Sequence, residues 1–314
     1  NITIKLEKTK DSSYVQTYKY KNIFVEINDT YARDKNVPET NNMLDNIHFK
    51  YRTLPLNRKV ITRNIFIQPG ADFNTTDQEA TINRLNQLGV FQFVNIRFEK
   101  IQGEPGLLNC YIVLNTTAKM DATLLGDIST SDGDSFLGFG GSVIYRNRNL
   151  FNGANQMLLR GSYSTEFRND ALLYPTKRFY LSGSNASVTS EFTFPKFILP
   201  FKQNIFNKKT IPYTIFSLNY TLIQRIQNYT VTNATGSFGY TWKETNKKQW
   251  RLNPSFLTIT KVPSRLLSDA FREKVKNNQY LQNIFSDNTI YGENVTFDYK
   301  SNPNNQLKNS TAFR

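Results

Sequence analysis

The chain has 314 residues, of which 39% are hydrophobic, and 39 Lys and Arg stand against 25 Asp and Glu for a formal charge of +14; that length suits two folding units better than one core of average size. One Cys and one His exclude a disulfide framework and argue against Cys- or His-based metal sites and His-dependent catalytic triads. No apolar run approaches the ~18 residues of a spanning helix, and the cations are scattered with no basic run or nucleic-acid motif, a pattern of a solvated surface suited to anionic lipid head groups.

Residues 1–10 alternate like the last strand of an upstream unit, and both Asn1 and Arg314 read as cuts through strands of a longer protein. Tyr18 to Asn28 is a second strand, with Tyr18 and Tyr20 and then Ile23, Val25 and Ile27 around polar partners. Residues 29–55 are polar and contain Pro38 and Pro55, which predicts an irregular insertion loop. Leu56, Val60, Ile61 and Ile65 have helical spacing, and Gln68-Pro69-Gly70 is a turn. Thr76 and Glu79 form a capping-box pattern that opens a helix with Ile82, Leu85 and Leu88 on its inner face; Gly89 falls where a left-handed cap ends it. In Phe91 to Lys100, Val94, Ile96 and Phe98 point one way and Asn95, Arg97 and Glu99 the other. After a Gly103-Glu104-Pro105-Gly106 turn, Cys110, Ile112 and Leu114 are in phase, so Cys110 reads as a core thiol rather than a nucleophile. Strand, helix, helix, strand, strand predicts a small α+β module over residues 11–118, with helices on one face of a three-stranded sheet.

From Lys119 helical signals nearly vanish, and strands of about ten residues recur, the length that crosses a bilayer at a tilt. Ala122, Leu124, Gly126 and Ile128 alternate against Thr123, Leu125 and Asp127. Leu137, Phe139, Gly141, Val143 and Tyr145 are joined to Met157, Leu159, Gly161 and Tyr163 by an Asn- and Gly-rich turn, a hairpin. Arg178 to Phe194 places Tyr180, Ala186, Val188, Phe192 and Phe194 opposite Gly183, Asn185, Ser187, Thr189 and Glu191. Phe216, Leu218, Tyr220 and Leu222 follow, then Phe238, Tyr240 and Trp242. Trp250 and Leu252 shift phase near Pro254 to Leu257 and Ile259, and a bulge or strand edge is expected there because Pro cannot donate to the ladder. Leu267, Phe271 and Val275 predict a short helix in a long connection. Tyr291, Val295, Phe297 and Tyr299 then alternate cleanly, and a ninth strand runs toward Arg314.

A soluble sandwich also alternates, but its exposed face favours Lys, Glu and Thr. Here the face opposite the apolar one is rich in Gly, Ser, Thr and Asn, and aromatic residues gather near strand ends, as at lipid head groups. Connections alternate between short (Asn149–Asn155, Glu244–Gln249, Asn302–Lys308) and long (168–178, 263–288), with 195–212 and the turn near Gln227 as exceptions. The expectation for residues 119–314 is therefore the N-terminal part of an antiparallel transmembrane β-barrel.

Particular tracts carry a resemblance. Val60-Ile61-Thr62-Arg63, Pro69-Gly70-Ala71-Asp72-Phe73, Arg84 to Phe91 and Val94-Asn95-Ile96 resemble a POTRA domain. Tyr145 to Ala154, with Asn147, Arg148, Asn149, Leu150, Phe151 and Gly153, resembles the first periplasmic turn of the BamA/TamA (surface antigen) family of outer-membrane assembly factors. Gly239-Tyr240-Thr241-Trp242 and Phe194-Pro195-Lys196-Phe197 look like its Bacteroidetes-type members. The resemblance covers nearly the whole chain. It implies a sixteen-stranded barrel in the bacterial outer membrane, of which this chain holds about eight or nine strands, with the POTRA domain in the periplasm. The implied partners are unfolded outer-membrane protein clients, outer-membrane lipids and periplasmic or lipoprotein accessory subunits; nucleic acid, cofactors and enzymatic chemistry are not implied. Clients would add a strand to the edge formed by Phe93, Val94, Asn95, Ile96, Arg97 and Phe98, although the outward charges fit a protected edge equally well. The family's lateral gate would use the first barrel strand at Leu124, Gly126 and Ile128, where Gly126 is expected to weaken pairing. A secretion pore or passive channel with a POTRA module is the alternative. An enzyme would have to use Asp127, Asp132 and Asp134 near the first loop, which is ordinary turn chemistry with no Ser/His pair beside it.

Overall fold

The computed structural model describes residues 17–31, 37–131, 136–168, 180–198, 210–226, 228–245, 247–263 and 267–300. The strand expected at 1–10, the turn residues Asp132 and Asp134 and the ninth strand toward Arg314 lie outside them. The chain divides into two compact units at Ala118/Lys119.

In the first unit the strands are β1 (Lys19–Asn28), β2 (Thr40–Leu44), β3 (Ile47–Tyr51), β4 (Phe91–Lys100) and β5 (Leu107–Thr116), and the helices are α1 (Arg58–Thr62) and α2 (Thr75–Gln87). The sheet has five strands in the order β2-β3-β1-β5-β4, not the three expected. Strand β1 is parallel to both β3 and β5, while β2–β3 and β4–β5 are antiparallel. The two additional strands come from the segment read as a loop. Asp45 and Asn46 both adopt left-handed backbone (φ 51° and 61°), the geometry of a two-residue hairpin turn that Asn and Asp tolerate. Leu56 to Phe66 contributes only one helical turn, α1, capped by the Asn57 side chain accepting from the Lys59 N–H.

The capping box does not form either. The N-cap of α2 is Asn74, whose side-chain oxygen accepts from the Thr76 N–H at 2.9 Å, and Thr76 lies inside the helix. Thr81, unremarked in the periodicity, is fully buried; its hydroxyl donates to the Asp77 carbonyl and accepts from the Phe66 N–H. At the other end Gly89 is left-handed (φ 69°) as expected. Helix α2 packs on β4. Ile23, Val25, Ile27, Phe49, Ile61, Leu85, Cys110, Ile112 and Leu114 form the core, and burial pushes the Cys110 thiol up to about 12, which makes it inert.

The second unit is one sheet of eight strands: β6 (Met120–Ser131), β7 (Phe136–Leu150), β8 (Asn155–Arg168), β9 (Tyr180–Phe194), β10 (Ile211–Arg225), β11 (Tyr229–Thr245), β12 (Lys248–Lys261) and β13 (Asn288–Tyr299). Each strand pairs antiparallel with its neighbours in sequence. Among the described residues the sheet is open, with β6 at one edge and β13 at the other. Its strands have 12 to 17 residues, longer than the ten expected. No helix of the described residues is long and apolar enough to cross a membrane. The predicted helix before β13 is two, α3 (Asp269–Lys276) and α4 (Gln279–Ile284), whose Phe271 and Phe285 pack on Tyr229.

Candidate functional site

Register places the outward rows of the second unit strand by strand. Leu124, Val143, Gly161, Val188 and Tyr220 align across β6 to β10, and Tyr145, Leu159, Ser190, Leu218, Gly236 and Leu257 align across β7 to β12. These side chains are open: Leu124 is 78% exposed, Leu218 63% and Val188 60%. Toward the end where β7 turns into β8 the rows become aromatic. Phe194 packs on Phe216 and Phe216 on Phe238; Trp242 stacks on Trp250, and Trp250 meets Phe297 at 4.4 Å. Phe197 folds back onto Tyr240 and Trp242, held by Thr214, whose hydroxyl accepts from the Ile198 N–H and donates to the Lys196 carbonyl.

The opposite face is polar and hydrogen-bonded to itself. Ser162 meets Ser187 and Ser217 meets Ser237, each at 2.7 Å; Asn219 donates to Thr189 at 2.8 Å and Thr235 pairs with Thr258 at 3.1 Å. Its charges are matched across strands. Arg225 bonds Glu166 (3.2 Å) and Asn185 (3.0 Å), and Arg251 bonds Asp298 (2.7 Å). Two phase shifts keep the faces apart. The expected one near Pro254 is present as an irregularity between Asn253 and Phe256. The other, at Ser182, puts Leu181 opposite Phe167 and Tyr180 opposite Arg168, so Tyr180 belongs to the polar row and not to the apolar one.

The turn that joins β7 to β8 holds Phe151, Asn152 and Ala154 in left-handed backbone, which costs on the order of 1–3 kcal/mol per residue. Asn side chains fix it: Asn147 accepts from the Asn149 N–H, Asn149 from the Ala154 N–H, and Asn155 donates to the Leu150 carbonyl. Arg148 forms an ion pair with Asp121. Gly153 is not left-handed; a Cβ there would stand 2.7 Å from the Asn155 amide. Phe151 sits at the tip, 83% exposed.

The residues expected at the client edge lie on β4, an edge strand with β5 as its one partner. Val94, Ile96 and Phe98 turn toward the helix side, while Phe93, Asn95 and Arg97 turn to the open face. Arg97 covers the Tyr111 ring at 4.9 Å and lies 3.9 Å from Glu99. Tyr111 stacks on Phe24, and Phe24 on His48, so the single histidine serves a cross-strand stack. At the other candidate edge, Leu124 and Ile128 of β6 point outward, and pairing with β7 runs unbroken from Met120 to Ser131. Gly126 therefore does not interrupt it; opposite lies Gly141, and the backbone ladder is complete without a side chain. No group of His, Cys, Asp and Glu able to hold a metal occurs among the described residues.

No protein-family model and no curated protein matches the sequence. Among solved structures the chain is similar to BamA from Haemophilus ducreyi lacking POTRA domains 1–3, at 13% identity over 84% of this chain and 48% of that one, with a TM-score of 0.45. It is also similar to CdiB from Escherichia coli (9% identity, 95% of this chain, 68% of that one, TM-score 0.36) and to CdiB from Acinetobacter baumannii (8%, 79%, 46%, 0.32). The chain spans about half the length of the BamA chain.

Proposed function

We propose that residues 119–314 form part of the wall of a bacterial outer-membrane β-barrel, that residues 11–118 are a POTRA-type unit in the periplasm, and that the protein folds, inserts or translocates other outer-membrane proteins. The observation that carries the membrane reading is the inverted second unit. Its apolar rows are bare, and its polar rows bond among themselves. Leaving a large apolar side chain in water forgoes about 1.5–3 kcal/mol. A dozen or more such side chains amount to tens of kcal/mol, beyond the ~5–15 kcal/mol that stabilises a domain. Lipid covers such a face with no need for a shape-matched partner, and the rings of Trp242, Trp250 and Phe297 suit the head-group level. The Ser, Thr, Asn and Gly face suits a wet lumen.

Assembly activity rests on the tracts at residues 60–96 and 145–154, which resemble the BamA/TamA family, together with two unpartnered edges. In this reading the β4 edge, Phe93 to Phe98, receives unfolded clients by strand addition. The β6 edge, at Leu124, Gly126 and Ile128, is one side of the lateral gate, and accessory subunits dock in the periplasm. Vesicles carrying the protein are expected to speed insertion of a urea-unfolded client barrel; a rate equal to that of empty vesicles contradicts the assignment. The polar face also fits a second reading, a secretion pore or passive channel. Steady conductance independent of clients, with no folding activity, selects that one.

A further inference from the structure

The first unit has two sheet edges, and they are built differently. Strand β4 carries outward Arg97 and Glu99 and a register shift between Phe91 and Phe93, features that discourage tight pairing with a passing strand and suit brief client contacts. Strand β2, Thr40-Asn41-Asn42-Met43-Leu44, carries no charge, bulge or proline, and β3 is its one partner. The left-handed pair Asp45 and Asn46 closes a two-residue turn, so Leu44 and Ile47 exchange the hydrogen bonds next to it. By alternation, Asn41 and Met43 aim their backbone N–H and C=O away from β3, at an open edge. At the turn end of this edge lies a cavity of about 320 Å³, lined by Asp45, Asn46, Ile47, Arg63, Ile65 and Ile67, among others. The three isoleucines are buried and floor it; Arg63 and Asp45 stand at its rim. Free backbone groups beside an apolar socket are what strand addition uses: main-chain bonds for affinity and a pocket for an alternate side chain for selectivity.

We propose that β2 and this cavity form a second strand-docking site, which takes an extended, uncharged segment of another protein with an aliphatic side chain seated on Ile47, Ile65 and Ile67. A second copy of this chain fits less well. Two five-residue strands back to back bury far less than the ~1,000 Å² of a stable interface, and they leave the cavity unfilled. The site stands whether or not the second unit lies in a membrane.

The test is hydrogen exchange on the full chain in detergent micelles. The probe is a capped synthetic peptide that alternates Thr and Val and ends in Leu. Exchange across residues 40–44 is expected to slow about tenfold with peptide while residues 91–100 stay unchanged. Asn41→Pro removes one outward donor and spares the β3 ladder. It is expected to weaken the peptide about tenfold, the effect of one or two backbone hydrogen bonds. Gln68→Trp, at the exposed rim of the cavity, provides a second variant with the same expected loss. Protection confined to 91–100, or none at 40–44, overturns the proposal. So does protection at 40–44 that follows protein concentration rather than peptide, which marks a homodimer through β2.

Discussion

The two units distribute the same residue types in opposite ways. Among the described residues, nineteen of the buried hydrophobic side chains lie between Tyr20 and Leu114, and four (Ile144, Ala154, Phe197 and Val262) lie beyond Lys119. Exposed large hydrophobics reverse the ratio, with Tyr31, Met43 and Phe93 in the first unit and twenty-three in the second. Both units are built on alternating strands. The first covers the apolar side of its sheet with helix α2 and the loops around it, as a water-soluble module must. The second leaves that side bare and turns its hydrogen bonds to the other. Alternation alone therefore does not identify a solvent; what covers the apolar face does.

Core truncation separates the units most sharply. Phe49→Ala is expected to cost about 3–5 kcal/mol, seen as a lower denaturant midpoint for the first unit. Leu218→Ala, on the bare face, leaves the detergent-solubilised second unit within about 0.5 kcal/mol. Charge gives the converse. Leu218→Arg is expected to destabilise the bilayer-embedded protein by about 2–4 kcal/mol, whereas Ser217→Arg, one residue along and on the polar face, changes little; refolding titrations into vesicles measure both. Equal costs at 217 and 218 would erase the distinction between faces.

Alkaline pH probes the first unit alone. The folded Cys110 thiol titrates at about 12 rather than at its ordinary 9.0. Between those values the unfolded chain has lost the proton and the folded one keeps it, so stability falls as pH rises from 9 toward 12, by up to a few kcal/mol. Cys110→Ala flattens that slope in pH-dependent unfolding curves. A smaller effect concerns α2. Asn74→Ala removes the cap from the Thr76 N–H and should cost about 1 kcal/mol, again in the first unit only. The smallest lies in the second unit, in the loop before β13. The Val262 N–H and the Lys261 ammonium bonded to Asp287 hold its carboxyl below the usual carboxylate range. That contribution is present above the ordinary carboxylate pKa and fades as pH falls through the lowered one, so backbone exchange at Val262 should quicken only in strong acid.

Strand phase was legible wherever a strand ran without interruption, because period two admits a single assignment of faces. Every apolar row in β6 to β8, β10, β11 and β13 follows it, and Pro254 marked its own bulge. Tyr180 was misassigned because the shift at Ser182 has no proline or glycine to announce it. The β2–β3 hairpin was missed for a different reason. Thr40 to Leu44 has the polarity of a loop, and the turn uses Asp45-Asn46 where a glycine would have been the stronger signal. Asn74, Thr76 and Glu79 offered two overlapping caps, and the Asn won. The turn residues at 147–153 were found by resemblance, yet the exposure of Phe151 and the close contact at Gly153 are properties of geometry that composition does not carry.

Spin-label accessibility in bilayer vesicles tests the central claim most directly. In a Cys110→Ser background, single cysteines at positions 216 to 220 are labelled and exposed to oxygen, which partitions into lipid, and to a water-soluble nickel chelate. Positions 216, 218 and 220 should favour oxygen, and 217 and 219 the chelate, in strict alternation. If 216, 218 and 220 were shielded from both reagents, as in the dry interior of a sandwich, the outward-facing wall would be contradicted.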